Sequence, residues 1–256
     1  MDGQTSGENR IFLGTAGWGI AAAVAPLFPS GGTHLDRYAR VMPAVEIDTS
    51  FYRPHRPATY ARWARSVPPG FRFAVKLPRT VTHDRRLRDA GEPLARFLGE
   101  VTELGDRLGP LLVQLPPSLR FDGGVAGAFF AGLRQRFGGD VVCEPRHRSW
   151  FVPAAGGLLA AHRVARVAAD PAVVPDAAKP GGWRGLVYRR LHGSPVMYRS
   201  AYPPAVLDAL ARRLAEEAGR GPVWCVFDNT ADGHALPDAL RVKDAVRELA
   251  SPRGPC

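Results

Sequence analysis

Glu46, Asp48, Lys76, Gln114, Glu144, Asp170, His192 and Asp228 each stand at or near the end of a run of strand-forming apolar residues. Brought to one place, such carboxylates, a lysine and an imidazole could exchange protons with a substrate and steady negative charge as it develops. Two carboxylates in different surroundings hold different protonation states, one giving and one taking a proton. Glu46 and Glu144 are the candidate pair, with Asp48 or Asp228 holding one of them. Pro145 fixes the chain where its strand ends, and Arg146 sets a cation beside Glu144. Lys76, Arg146 and His192 would stabilise an anion.

The same residues bear on a metal. Glu46, Asp48, His83, Glu144, Asp170, His192 and Asp228 offer oxygen and nitrogen ligands for a divalent ion with an open position. Lys76, Arg146 and Arg190 would neutralise those acids without one. Because unpaired buried charges are costly, a carboxylate–cation network is the simpler expectation and a divalent metal the alternative.

Cations and aromatics alternate in the segments that follow three of the runs. These are Phe51, Tyr52, Arg53, His55 and Arg56, then Arg79, His83, Arg85, Arg86 and Arg88, then Arg146, His147, Arg148, Trp150 and Phe151. Arginine neutralises phosphate and aromatic rings stack on bases, so an anionic small molecule or a nucleic acid is the expected partner. The competing explanation is that the rings close the end of the fold and the arginines pair with its acids. Trp18, Tyr52 and Trp150 are candidate walls, and Arg53, His83, Gln114, Arg190, Tyr198 and Asn229 candidate binding groups. No serine sits in a nucleophile elbow, and the glycines around Gly14 to Gly19 lack a dinucleotide-binding spacing.

Elements that could gather these residues are legible in the apolar pattern. Strands are predicted over Ile11 to Trp18, Ala44 to Phe51, Phe71 to Leu77, Pro110 to Leu115, Val141 to Glu144, Ala165 to Asp170, Leu186 to His192 and Val223 to Asp228. Helical spacing falls between them over Thr33 to Val41, Ala58 to Ser66, Pro93 to Leu108, Val125 to Phe137, Ala154 to His162, Pro204 to Gly219 and Leu236 to Leu249. One helix is missing. Pro171 to Trp183 is too rich in proline and glycine to form it, so an irregular loop should follow strand six. Strands alternating with helices signal parallel βαβ units, and eight of them in about 250 residues predict one α/β domain, a (β/α)8 TIM-like barrel spanning residues 1–256. Residues 1–10 and 251–256 are expected to be disordered. Two-residue alternation then points Glu46, Asp48, Lys76, Gln114, Glu144, Asp170, His192 and Asp228 to the lumen.

Composition sets bounds. Thirty-four Lys and Arg against 24 Asp and Glu leave a net charge of +10, which favours anionic partners, although a chain this rich in Ala, Gly and Pro carries arginine for compositional reasons too. Cys143 and Cys225 lie inside apolar runs and Cys256 is terminal, so no disulfide framework is expected and a reducing, cytoplasmic setting is. The apolar stretch from Gly19 to Phe28 is too short to span a bilayer. Oligomeric state leaves no trace in the sequence.

The motifs in chain order are GTAGW (Gly14 to Trp18), VEIDTSFYR (Val45 to Arg53), FRFAVKLPRTVTH (Phe71 to His83), GPLLVQLPPS (Gly109 to Ser118), EPRHRSW (Glu144 to Trp150), YRRLHG (Tyr188 to Gly193) and WCVFDNT (Trp224 to Thr230). Together they resemble the YecE-like family, domain of unknown function 72. The resemblance implies a TIM-barrel fold and a polar site, with no settled activity; some members resemble the endonuclease IV and xylose isomerase barrels, which use metal-bound carboxylates and histidines. The chain departs from that pattern in lacking a histidine-rich ligand series. The expectation is therefore a hydrolase acting on a phosphate-bearing substrate, nucleic acid or nucleotide. It would use Glu46, Asp48, Lys76, Glu144 and Asp228 for chemistry. A non-catalytic nucleic-acid-binding protein and a carbohydrate isomerase or glycoside-active enzyme are the alternatives.

Overall fold

The structure, a computed structural model, describes residues 10–250. The terminal segments expected to be disordered lie outside the described residues, Arg10 excepted.

Strands and helices follow one another as β1 (Ile11–Thr15), α1 (His34–Ala39), β2 (Ala44–Ile47), α2 (Thr49–Tyr52), α3 (Pro57–Arg65), β3 (Arg72–Lys76), α4 (Gly91–Val101), β4 (Leu108–Gln114), α5 (Gly123–Arg136), β5 (Val141–Glu144), α6 (Pro153–Ala161), β6 (Val164–Arg166), β7 (Ala168–Asp170), β8 (Gly181–Gly182), β9 (Val187–Leu191), α7 (Pro204–Ala218), β10 (Val223–Phe227) and α8 (Ala235–Ala250). Local chemistry sets several boundaries. Thr33 and Asp36 form a capping box that starts α1, and Asp122 caps α5 by accepting from the Val125 N–H at 3.0 Å. Pro57, Pro153 and Pro204 open their helices at a position with no hydrogen bond to lose.

This is a mixed α/β fold with parallel sheets. One sheet has the order β1-β10-β9-β7 and the other β2-β3-β4-β5-β6-β8, and the pairings are parallel except β6 with β8. The sheets meet at two places. Ala16, just past β1, bridges in parallel to Glu46 of β2, and the Gly17 N–H donates to the Glu46 carbonyl at 2.8 Å. Gly14 permits this approach, because a Cβ there would stand 2.1 Å from the Ala44 carbonyl oxygen. At the other place β6 pairs with β5 while its continuation β7 pairs with β9, and the intervening Val167 N–H donates to the Cys143 carbonyl at 2.9 Å.

Each strand is covered on both faces, which is why the runs read as continuously apolar. On the outer face Leu13, Val45, Ile47, Phe73, Val75, Val113, Cys143 and Phe227 pack with helix residues such as Tyr60, Phe97, Phe130 and Leu214. On the inner face Ala44, Ala74, Leu112, Val142, Ala165, Val167, Tyr188, Trp224 and Val226 of both sheets form a single cluster. Tyr188 stacks on Trp224 at 5.9 Å between centroids, and the half-buried Phe12 also stacks on Trp224 at 4.9 Å. Fully burying rings such as those of Tyr188 and Trp224 contributes roughly 1.5–3 kcal/mol each, and here it builds an aromatic floor.

The differences from expectation have local causes. The second strand stops at Ile47 instead of Phe51 because the Ser50 hydroxyl donates to the carbonyls of Ile47 (3.0 Å) and Lys76 (2.7 Å), folding the chain into α2. The helix expected over Pro93 to Leu108 breaks after Val101 into a 3-10 stretch, Thr102–Arg107, bent at Gly105 (φ 52°). The irregular loop after the sixth expected strand contains a 3-10 turn at Pro175–Ala178 and the short β8. Among the described residues no helix is long and apolar enough to cross a membrane.

Candidate active site at the strand ends

Alternation along the strands carries the inner faces upward into polar side chains. Ala44 is followed on its face by Glu46, Ala74 by Lys76, Leu112 by Gln114, Val142 by Glu144, Tyr188 by Arg190 and His192, and Val226 by Asp228. Register brings them level: Gln114 lies beside Glu144 and Val226 beside Arg190. Asp170 does not join them. Ala165 and Val167 are the inner residues of its strand, so the two-residue period turns Asp170 to the outside, where it accepts from the Tyr202 hydroxyl at 2.9 Å.

Arg190, fully buried, is the hub. Its Nη2 and Nε grip the two oxygens of Glu46 at 2.6 and 3.1 Å, and its Nη1 donates to Glu144 Oε2 at 2.9 Å. Nη2 also lies 3.2 Å from Asp228 Oδ2. The Tyr188 hydroxyl donates to Glu46 Oε2 at 2.7 Å, joining the aromatic floor to the charged layer above it. Arg146 Nε pairs with Glu144 Oε1 at 2.7 Å, at an angle short of a hydrogen bond.

His192 connects two of the acids. Its Nδ1 lies 2.9 Å from Asp228 Oδ2, and an ionised carboxylate only accepts, so Nδ1 carries the hydrogen. Its Nε2 stands between an acceptor, Glu144 Oε1 at 2.8 Å, and a donor, Arg146 Nη2 at 2.8 Å. A nitrogen so placed either donates a hydrogen bond to Glu144, if it carries a hydrogen, or accepts one from the Arg146 guanidinium, if it does not. Lys76 donates to Asp48 Oδ1 at 2.7 Å and lies 4.3 Å from the centroid of the Phe51 ring.

Exposure divides the group. The side chains of Glu46, Glu144, Arg190 and His192 are 0% exposed, whereas Asp228 is 12% and Asp48 25% exposed. Asp228 and Asp48 are thus the more accessible acids of the group, with Lys76 paired to Asp48 and acting on Asp228. Gln114 is nearly buried and has no side-chain partner among the described residues, which leaves its amide free for a ligand.

The two glutamates are pushed in opposite directions. Burial raises Glu46 above the usual carboxylate range, against the pull of Arg190. Burial acts on Glu144 too, but Arg146, His192 and Arg190 together outweigh it and hold Glu144 well below that range. For Asp228, burial is likewise outweighed by Arg190 and the His192 hydrogen bond, and its pKa is lowered. Linkage gives the signs. Glu144 and Asp228 contribute stability that is complete above the ordinary carboxylate pKa and is lost as pH falls through their lower folded values. Glu46 contributes stability that is complete below its unfolded pKa and is lost as pH rises through its raised folded value. In thermal melts across the acid range, Glu144→Gln is expected to flatten the acid-side loss of stability. An acid-side slope matching the wild type would contradict that assignment.

Other expected site residues fall into place differently. Tyr52 is exposed and close enough to Asp48 and Asp228 for both to raise its phenol pKa beyond what burial does. With Arg53, Phe51, Thr80 and Arg85 it lines a cavity of ≈ 280 Å³. His83 packs edge-on against Phe51 at 4.8 Å, its pKa lowered by burial and then by Lys76. Tyr198, in the left-handed region (φ 68°), sits edge-on to His192 at 5.7 Å and is 42% exposed. Trp18 packs edge-on against Trp63 at 5.0 Å.

Three expected ligand contacts are internal supports instead. Trp150 is buried and its indole N–H donates to the Leu119 carbonyl at 2.9 Å. Asn229 is buried and donates to the Ser200 carbonyl (3.0 Å) and Asp238 Oδ2 (2.8 Å), anchoring the loop that follows β9. Arg190 is enclosed by its acids and reaches no ligand. Tyr188 was missed as a site residue; its place two before Arg190 on the same strand face was the available signal. Among the described residues no three His, Cys, Asp or Glu side chains are arranged to hold a metal. The carboxylates are held by arginine, histidine and lysine, so the donor set does not fit the metal-bound carboxylate and histidine site that the family resemblance implies.

Comparison with known proteins follows the same lines. The profile of a family described as "Protein of unknown function DUF72" matches residues 12–255. The UPF0759 protein YecE of Escherichia coli (strain K12) is 35% identical over 86 residues, 34% of this chain and 32% of that protein. The UPF0759 protein YunF of Bacillus subtilis (strain 168) is 28% identical over 151 residues, 56% of this chain and 53% of that one. The matches thus span about a third to a half of these relatives. Crystal structures of DUF72 family proteins from Enterococcus faecalis V583 (TM-score 0.77, 20% identity, 93% of this chain and 95% of that one) and Thermotoga maritima MSB8 (TM-score 0.76, 23% identity, 93% and 99%) have a similar fold.

Proposed function

The chain belongs to the DUF72 family, and from that premise we propose that its sheets close into one (β/α)8 barrel whose strand-end mouth is the active site of a hydrolase for phosphate-bearing substrates. Closure is supported by the Ala16–Glu46 bridge at one junction, by the segment Val164–Asp170 shared between the sheets at the other, and by the common inner cluster. Active sites of such barrels lie at the carboxyl ends of the strands.

The observation that carries the function is the chain of groups behind Asp228. Its Oδ2 accepts from His192, and His192 is backed by buried Glu144. Asp228 Oδ1 has no protein hydrogen bond among the described residues and belongs to the partly exposed side chain. An acid held ionised and oriented by an imidazole, with one oxygen free of protein partners, can take a proton from water that reaches it. Lys76 acts on Asp228, Arg146 holds Glu144 and His192, and both are placed to steady charge on the phosphate, while Gln114 is free to orient an oxygen. Water would attack phosphorus as Asp228 removes its proton, and the ester oxygen would leave with the bonding electrons.

The test is a turnover screen of phosphomonoesters, phosphodiesters and neutral glycosides with the purified protein, repeated at rising salt. Hydrolysis confined to phosphate esters, with KM climbing as salt screens the cations, is expected. Turnover of neutral glycosides alone, insensitive to salt, would overturn the proposal in favour of a carbohydrate-active enzyme.

A further inference from the structure

Among the described residues, the segment between β3 and α4 concentrates the non-glycine residues in the left-handed region. After Lys76 the chain forms a π-helical turn, Thr80–Asp84, and then places Arg86 (φ 51°), Leu87 (φ 70°) and Asp89 (φ 46°) in the left-handed region within four residues. Non-glycine residues there are strained and persist where surrounding contacts over-determine them, as happens at functional sites. Leu87 is buried, and its N–H donates to the Val81 carbonyl at 3.0 Å. Arg86 is clamped to the next loop, its Nη1 and Nη2 donating to the Ser118 hydroxyl (3.0 Å) and carbonyl (2.8 Å).

The strain shapes a groove. Two cavities, of ≈ 380 and ≈ 600 Å³, share Leu87, Arg88, Asp122 and Val125 in their linings and so adjoin along α5. Arg86, Arg88 and Arg120 line the first, and Arg88 and Arg136 the second. Arg120 is exposed with no partner among the described residues. Asp122, the acid shared by both, is engaged by the Val125 N–H and lies 3.4 Å from Arg88. The rings that line the groove, Phe121, Phe129 and Trp150, are buried or half-buried. A surface of arginines without exposed rings recognises a phosphate backbone rather than bases.

The segment that carries the groove begins at the strand ends: Lys76 lies over Phe51, and Phe51 packs on His83 of the π-helical turn that leads to Arg86. We infer that the substrate is a phosphodiester strand whose reacting phosphate sits by Lys76 and Asp228 while its flanking phosphates lie in the groove of Arg86, Arg88 and Arg120. This rests on the proposed phosphate-ester chemistry but is tested apart from it, by binding.

The experiment uses a fluorescently labelled single-stranded oligonucleotide titrated with the full chain over a range of salt. Arg88→Ser/Arg120→Ser is compared with Arg212→Ser/Arg213→Ser, which removes the same charge from α7. Each phosphate contact contributes about 0.7 to the slope of log affinity against log salt for a single strand, so the groove variant should flatten the slope by about 1.4 and the α7 variant should leave it unchanged. Equal effects from the two variants, no binding by the wild type, or stronger competition from an acidic peptide than from unlabelled oligonucleotide would each overturn the inference. Arg120→Ser alone, which breaks no internal contact, guards against misfolding: a slope change of about 0.7 is expected, and none would count against the groove. Failure of the hydrolysis screen with the binding result intact would instead remove the chemistry and keep the strand.

Discussion

Arg190→Ala should destabilise the protein by about 3–5 kcal/mol, the range for removing one partner of a buried ion pair. Urea unfolding with an unchanged m-value would measure it. The loss falls unequally on the three acids. Glu144 keeps Arg146 and His192, and Asp228 keeps His192, but Glu46 retains only the Tyr188 hydroxyl. Glu46 is already raised by burial with Arg190 present, so without the guanidinium it should bind a proton more tightly still. A raised carboxyl favours the folded state at acid pH and withdraws that contribution as pH rises through its folded pKa. The deficit in Arg190→Ala should therefore be smaller near the carboxylate range than at neutral pH. Adding Glu46→Leu should recover part of it, because an apolar pair can replace a buried ionic one. A loss below about 1 kcal/mol would mean that Arg190 is not the hub.

Asp228→Asn should lower turnover of a phosphate ester by about 10²- to 10⁴-fold, the usual contribution of a positioned base. The amide has the same shape, and its oxygen can still face the His192 Nδ1–H, so the fold should be kept. Removing a negative charge beside Lys76 and Arg146 should leave binding of inorganic phosphate unchanged or tighter. Turnover within a few-fold of wild type would transfer the base role elsewhere. Weakened phosphate binding without loss of turnover would make Asp228 a binding group, and an inert wild type whose oligonucleotide binding depends only on arginines would favour the non-catalytic alternative.

Most of the strand-end cluster was legible because parallel strands buried on both faces keep a strict two-residue period. Glu46, Lys76, Gln114, Glu144, His192 and Asp228 follow from it. Asp170 departs from the expected lumen position because the same period, set by the inner residues Ala165 and Val167, turns it outward. What the sequence could not carry were partners distant in the chain. Nothing near Trp150 announces that its indole ends on Leu119, nor near Asn229 that its amide serves Ser200 and Asp238. The same holds for Arg190. Its residue type suits a phosphate contact, and it is the approach of Glu46, 144 positions away, together with Glu144 and Asp228, that encloses it. The split of the sixth strand at Val167 was hidden for a different reason, since β6 and β7 share one apolar run while pairing with different neighbours.

The most direct measurement is a titration of the protein with inorganic phosphate, followed by NMR of the Lys76 Cε and Gln114 Nε2 resonances. Saturable shifts at both, weakened by salt and lost for Lys76→Met at the remaining Gln114 signal, are the predicted result. Lys76 and Gln114 signals that stay still while phosphate shifts other residues would contradict an anion site at the strand ends.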